Sequence, residues 1–333
     1  MLRFGLLGAG RMGRVHAANL AANGAAELAW VYDVSDAAAR DCAGQHGAST
    51  ASSIDQVLND RTVDAVLIAS STDTHAALIA ASIRAGKAVF CEKPIDLDIG
   101  RVEQCRQQIR GREDRVMIGF QRRFDPSLRA LHDRLRAGEV GTLHQVIATS
   151  RDTGIPPAAY IRVSGGLLRD MTIHDFDFAR FLLGEEPVRI VCLAAAMLAP
   201  EVREAGDHDV ALIVMQTTSG AQYCINNHRL APYGCDQRIE AMGELGMLKV
   251  ENQLPTTTER WAAAGTAMKD PLGNSALERY REAYKIEIDA FIAALGNGGP
   301  LPVTFEDGRR ALLLANAAYQ SLRTGRVVEI PTA

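Results

Sequence analysis

Gly8-Ala9-Gly10-Arg11-Met12-Gly13, set directly after the apolar run Leu2 to Leu7, restricts the fold of this chain more than any other feature. An apolar run without clean alternation is what a strand buried on both faces of a parallel sheet presents. The stretch VHAANLAA that follows reads as helix. In a strand–turn–helix setting Gly8 permits the tight turn, Gly10 lets the backbone approach a pyrophosphate, and Gly13 lets helix and strand pack closely. The helix that opens at Arg11 and Met12 offers free N–H groups and partial positive charge to phosphates. About 20 residues further on, Asp33 ends the second strand, the place where a carboxylate accepts both ribose hydroxyls of an adenosine. Its charge repels a 2′-phosphate, and neither Val34 nor Ser35 supplies a cation to offset it. The expected cofactor is therefore NAD rather than NADP, although flavin dinucleotide proteins share the same fingerprint.

The pattern continues as a strand–helix alternation. Strands are predicted at Val63 to Ala69, AVFCE and Arg115 to Gly119, with helices at Ile54 to Asn59, Thr74 to Ala85 and Ile99 to Ile109. Short connections between alternating elements give a doubly wound sheet, and right-handed crossovers put all strand C-termini on one edge. Ser70 and Thr72 after one strand, and Glu92 and Lys93 after the next, then line the cofactor crevice beside the glycine turn. His75 and His16, on the flanking helices, are within reach of the same edge or serve structure alone. Pro94 keeps Lys93 out of helical geometry, because the residue before a proline avoids the α region. An ammonium held there can point at a substrate.

After Gly119 the period changes. A helix at Pro126 to Arg136 precedes strands at Leu143 to Thr149, Val188 to Ala194, Val210 to Thr217, Ala221 to Asn227, Asp236 to Met242 and Met247 to Val250. Few crossovers between many strands predict a mostly antiparallel sheet in an α+β domain. One helix, Gly166 to Leu183, interrupts them. Residues 251–275 lack periodicity and read as a long loop, and Leu277 to Ala294 and Phe305 to Leu322 read as amphipathic helices able to pack back on the first domain. The expected division is 1–121 for the α/β Rossmann domain and 122–333 for the α+β domain. On the single helix Asp170 and His174 fall four positions apart on one face, with Asp177 three further on. Histidine exchanges a proton near neutral pH, and a neighbouring carboxylate orients it.

With 47% hydrophobic and 23% charged residues and a formal net charge of −4, the composition is globular and argues against a nucleic-acid groove. A chain of this length buries roughly 75% of the surface its unfolded form exposes. Its six cysteines form no close pair and read as reduced thiols. No stretch nears the roughly 20 apolar residues of a membrane span, and no signal peptide is read at the N-terminus. A cytoplasmic protein is expected. Hydride chemistry with a lysine and a histidine present needs no metal, and none is expected.

In order, AGRMG, EKP and GGLLRDMTIHDFD resemble the Gfo/Idh/MocA oxidoreductase family. GFQRRFDP, TSRD, YGCDQRIEAMGELGML and LERYREAYKIEIDAF are similar to its inositol dehydrogenases, and the likeness covers nearly the full length. The resemblance implies a Rossmann domain followed by an open-faced sheet that mediates homo-oligomers, usually tetramers. It implies Lys93, Asp170 and His174 as the catalytic set, with Arg122, Asp152 and Tyr233 beside a polyol pocket. It further implies oxidation of a ring hydroxyl, of myo-inositol before scyllo-inositol, glucose or xylose. A non-catalytic NAD-binding sensor is the alternative of another class.

Overall fold

The computed structural model describes residues 1–331. They divide into two compact units, Met1–Phe124 with Glu282–Leu312, and Asp125–Arg281 with 313–331.

The first unit begins β1 (Leu2–Leu7), α1 (Arg11–Ala21), β2 (Ala26–Tyr32), α2 (Asp36–His46), β3 (Ser49–Thr50) and α3 (Ile54–Asn59). It continues β4 (Ala65–Ile68), α4 (Thr72–Arg84), β5 (Ala88–Glu92), α5 (Ile99–Gln108) and β6 (Val116–Gly119). The six strands form a wholly parallel sheet in the order β3-β2-β1-β4-β5-β6. The order reverses direction at β1, which opens a crevice at the strand C-termini beside β1 and β4. Every residue of β4 and β5 is buried, as unbroken apolar runs require when helices cover both faces. Local signals set the helix ends: Ser35 and Asp98 accept N-terminal N–H groups of α2 and α5, and Gly47 closes α2 with φ +67°.

The second unit holds α6 (Pro126–Arg136), β7 (Leu143–Arg151), α7 (Ala158–Ile161), α8 (Leu167–Asp170), α9 (Ile173–Leu183) and β8 (Pro187–Ala195). Then come α10 (Pro200–Glu204), β9 (Val210–Thr217), β10 (Gln222–His228), β11 (Asp236–Gly243), β12 (Gly246–Val250), β13 (Glu259–Ala262), β14 (Gly265–Lys269) and α11 (Ala276–Arg279). Seven strands pair in the order β12-β11-β7-β10-β9-β8 and a final β15 (Val328–Glu329). Only β7 and β10 run parallel in that sheet. One face is buried, with Val146, Ile213, Met215, Tyr223 and Ile225 each 0% exposed. The alternate positions Ile147, Leu212 and Val214 lie on the other face and stay exposed.

Between β14 and β15 run α12 (Arg281–Asn297) and α13 (Phe305–Thr324). In the first unit Phe291 of α12 meets Phe4 and Phe90 edge-on at 6.1 and 5.8 Å. Arg123 pairs with Asp307 at 2.9 Å, and Gly308 leaves no room for a Cβ against Ile95.

Three readings need correction. The helix expected over 166–183 is two helices. Thr172 donates its hydroxyl to Leu167 O at 3.3 Å and to Asn227 Oδ1 at 2.6 Å, and its N–H also reaches back to Leu167 O, so the ordinary ladder is interrupted there. Asp170 thus ends α8 and His174 lies in the first turn of α9, rather than both riding one continuous face. Residues 251–275 contain the hairpin β13–β14, joined through Ala263 and Ala264. Its residues are exposed or half-buried, so no buried face imposes a period of two on the sequence. The helix expected over 277–294 breaks at Tyr280, between α11 and α12.

Candidate active site

In the first unit the predicted cofactor residues gather at the C-terminal edge of the parallel sheet. Gly8 has φ +103°, and a Cβ there would lie 2.5 Å from the Ser70 backbone nitrogen. A Cβ on Gly13 would sit 1.9 Å from Gly8 O, so α1 packs directly on the turn. Gly10 is different: nothing lies within 4 Å of its Cβ position, and no side chain caps the first N–H groups of α1. Open space at an uncapped helix N-terminus suits a pyrophosphate. Arg11 is exposed and Met12 half-buried beside it. Asp33 is locked against the turn, Oδ2 accepting the Ala9 N–H at 2.7 Å and Oδ1 the Ser35 N–H at 2.8 Å. Each oxygen keeps further acceptor capacity for a hydroxyl.

The next strand ends are tied together. His75, 2% exposed, has Nδ1 2.8 Å from Pro94 O and Nε2 3.1 Å from Ser70 O, so its ring bridges the end of β4 to the Lys93–Pro94 loop. Thr72 opens α4, and Ser70 Oγ lies 2.7 Å from Thr74 Oγ1. The Lys93–Pro94 peptide is cis, and Lys93 itself is half-buried. Glu92 is buried, with Oε1 2.6 Å from His16 Nε2. Burial pushes the Glu92 carboxyl up, but the His16 hydrogen bond, with the charges of His16, Lys93 and His75, outweighs it and holds the group below the ordinary value. His16 is fully buried, edge-on to Phe90 and Tyr284. Arg122, 8% exposed, follows β6 in the helical turn Gln121–Phe124.

In the second unit the remaining candidates collect at one edge of the seven-stranded sheet. There β7 and β10 end and β9 and β11 begin, since His228 pairs with both Arg151 and Val210, and Arg151 with Asp236. Asp152 follows β7 and exchanges backbone bonds with His228 O and the Ala231 N–H. Tyr233, 44% exposed, accepts from Arg151 Nη1 at 2.8 Å and donates to Asp236 Oδ2 at 2.9 Å. Asp170 Oδ1 accepts the Tyr160 hydroxyl at 2.9 Å. His174 stands between Thr172 and Asp175, and both are held by Asn227 of β10: Oδ1 accepts from Thr172, and Nδ2 donates to Asp175 Oδ2 at 3.1 Å. Asp177 is fully buried, 4.0 Å from Arg180.

Sequence reasoning overlooks Asn227, which grips Thr172 and Asp175 on either side of His174, the bridging role of His75, and the His16–Glu92 bond. A trace of the first was available, because Asn227 and Arg229 are polar at alternate positions where a buried strand face would be apolar. All six cysteines are free thiols, five of them buried, and burial raises Cys105 and Cys192 to about 12. No group of three His, Cys, Asp or Glu side chains among the described residues is arranged to hold a metal ion, and no described helix is long and apolar enough to cross a membrane.

Residues 2–120 match the model of the oxidoreductase family with an NAD-binding Rossmann fold, and residues 128–249 match the GFO/IDH/MocA C-terminal domain. The chain is 46% identical over 329 residues to an inositol 2-dehydrogenase of Rhizobium meliloti, covering 99% of each protein. It superposes on the crystal structure of a myo-inositol dehydrogenase from Corynebacterium glutamicum with a TM-score of 0.97 at 42% identity, covering all of both chains. A myo-inositol dehydrogenase from Lactobacillus casei, solved in complex with NAD(H) and myo-inositol, is similar at 26% identity, with a TM-score of 0.89 over 100% of this chain and 98% of that one.

Proposed function

Because the chain belongs to the Gfo/Idh/MocA oxidoreductase family, we propose that it oxidises a secondary hydroxyl of a cyclic polyol with NAD. Myo-inositol is the substrate in this reading, and 2-keto-myo-inositol (scyllo-inosose) and NADH are the products. One observation carries it: an open glycine turn, an anchored Asp33 and Lys93 lie along a single edge of one parallel sheet.

The backbone of Gly8, Gly10, Arg11, Met12 and Gly13 takes the pyrophosphate, and Asp33 takes the adenosine ribose. Ser70, Thr72, His75 and Glu92 shape the crevice that continues to Lys93. When bound, the nicotinamide supplies the hydride acceptor. His174 removes the proton of the reacting hydroxyl through an imidazole nitrogen. The Lys93 ammonium donates a hydrogen bond to that oxygen and stabilises the negative charge that develops on it. Asp170 orients His174 and accepts a neighbouring hydroxyl, while Arg122, Asp152 and Tyr233 bind the rest of the ring. The first unit thus serves the cofactor and lends Lys93 and Arg122 to the substrate, and the second serves the polyol and subunit contacts. The active form is a homotetramer in the cytoplasm, where six free thiols remain reduced.

The test is steady-state NADH formation with myo-inositol, scyllo-inositol, D-glucose and D-xylose. The expected order puts myo-inositol highest in kcat/KM, and a clear win for another polyol removes the substrate assignment. His174→Ala, run beside the wild type, is expected to lose about 10²–10⁴-fold in turnover while still binding NADH. Cofactor binding without turnover on any of the four polyols would instead favour the sensor.

A further inference from the structure

We propose that Arg229 is the positioning residue for Asp170, an inference that rests on the catalytic reading of Asp170. Arg229 lies one residue beyond β10 and is 1% exposed, the bulkiest of the fully buried side chains. Its Nη2 stands 3.8 Å from Asp170 Oδ2 and 3.7 Å from Asp207 Oδ2. These separations exceed a direct N–H···O bond, and neither Nη1 nor Nη2 hydrogen-bonds a protein atom among the described residues. The link is therefore ionic and acts where little water screens it. A guanidinium keeps its charge, and burying it without counter-charge is prohibitive, so the two carboxylates are what make its position tenable.

The two carboxylates belong to opposite ends of one short helix. Asp207 Oδ1 accepts the N–H of Leu167, the first residue of α8, at 2.8 Å, and Asp170 is the last residue of α8. Arg229 braces the helix from beneath. Asp170 Oδ1 takes the Tyr160 hydroxyl from α7, and Oδ2 faces Arg229, so the carboxylate plane is fixed from two sides. The adjacent cation, Arg169, turns elsewhere: it donates to Asn316 Oδ1 at 2.8 Å and lies 4.9 Å over the Tyr319 ring. Tyr319, whose phenol burial pushes up to about 12, donates to Gly165 O just before α8. Without Arg229, Asp170 would keep its place in the chain and lose the charge that sets its direction toward His174 and the substrate hydroxyl.

A double-mutant cycle decides the matter, with kcat on myo-inositol, NADH affinity by fluorescence and thermal midpoint read for each protein. Arg229→Gln is expected to lower kcat by roughly 10–100-fold, the scale of a displaced catalytic group, with NADH affinity unchanged. Arg229→Lys, which keeps the charge, is expected to recover most of that loss. In an Asp170→Asn background, Arg229→Gln should lower kcat less than about threefold further, because residues that act through one another are not additive. Equal fold-losses in both backgrounds would overturn the inference and leave Arg229 a packing residue. If Arg229→Gln does not fold, Arg229→Met, which keeps the bulk and removes the charge, carries the same cycle with the same two outcomes. An Asp170→Asn protein with wild-type kcat removes instead the catalytic reading of Asp170, a result distinct from additivity.

Discussion

In the proposed reading, cofactor choice turns on Asp33. Two backbone N–H groups, from Ala9 and Ser35, pin its carboxylate beside the glycine turn, and Val34 next to it is 93% exposed and uncharged. A 2′-phosphate brought there would meet a fixed negative charge with no cation from the following residues. Asp33→Ala is expected to weaken NAD binding by about 10–100-fold, the loss of one to two charge-assisted hydrogen bonds, and to narrow the preference over NADP. Comparing kcat/KM for the two cofactors checks it, and a wild-type protein using NADP as well as NAD would refute the repulsion argument. The place of Asp33 beside the glycine turn was legible because it lies a fixed distance after a local motif. The role of Arg229 was not, because its partners Asp170 and Asp207 come from distant segments.

At the scale of the element, α1 and its turn make the sharpest prediction. Gly13 and Gly10 belong to one motif but do different work. At Gly13 a Cβ would collide with Gly8 O, a backbone atom that cannot swing aside, whereas at Gly10 it would meet nothing. Gly13→Ala is expected to destabilise the protein by about 1–3 kcal/mol, the usual cost of overpacking, and to shift α1. Gly10→Ala should leave the thermal midpoint near wild type in the absence of cofactor and abolish most of the stabilisation that added NADH confers. Thermal melts of both variants with and without NADH separate the two, and equal intrinsic stabilities would contradict the packing argument. The elements of the first sheet were readable because its inner strands are mostly apolar and α2, α3 and α5 are capped by local side chains. The break at Thr172 was hidden, since it depends on Asn227 from another strand. The β13–β14 hairpin was hidden for the opposite reason, having no core to face.

At the scale of the whole molecule, the exposed side of the seven-stranded sheet carries an apolar patch across β7, β10, β9 and β8. Leu193 is 70% exposed, Leu212 55%, Ile147 41% and Val214 39%, and the register sets Leu193 opposite Leu212 and Val214 opposite Cys224. A contiguous apolar patch on a chain with ample core of its own fits contact with further copies. Leu212→Glu is expected to shift the assembly toward smaller species in light scattering coupled to size exclusion, with the fold retained by circular dichroism. A wild-type protein that runs as a monomer at micromolar concentration would end the argument. VALIVMQT and VRIVCLAA are apolar at most positions. Such strands declare two dry faces without saying whether the second is covered by the chain itself or by a neighbour.

The first unit is assembled from two segments far apart in the chain, and that has a consequence for its birth. Phe4 and Phe90 are made early, while Phe291, which covers both, is translated only after six of the seven strands of the second sheet. At ordinary elongation speeds roughly 10–40 s separate Phe90 from Phe291 on the ribosome. Through that interval the nascent sheet carries an uncovered aromatic surface, which chaperones must shield or the neighbouring chains of a polysome will find.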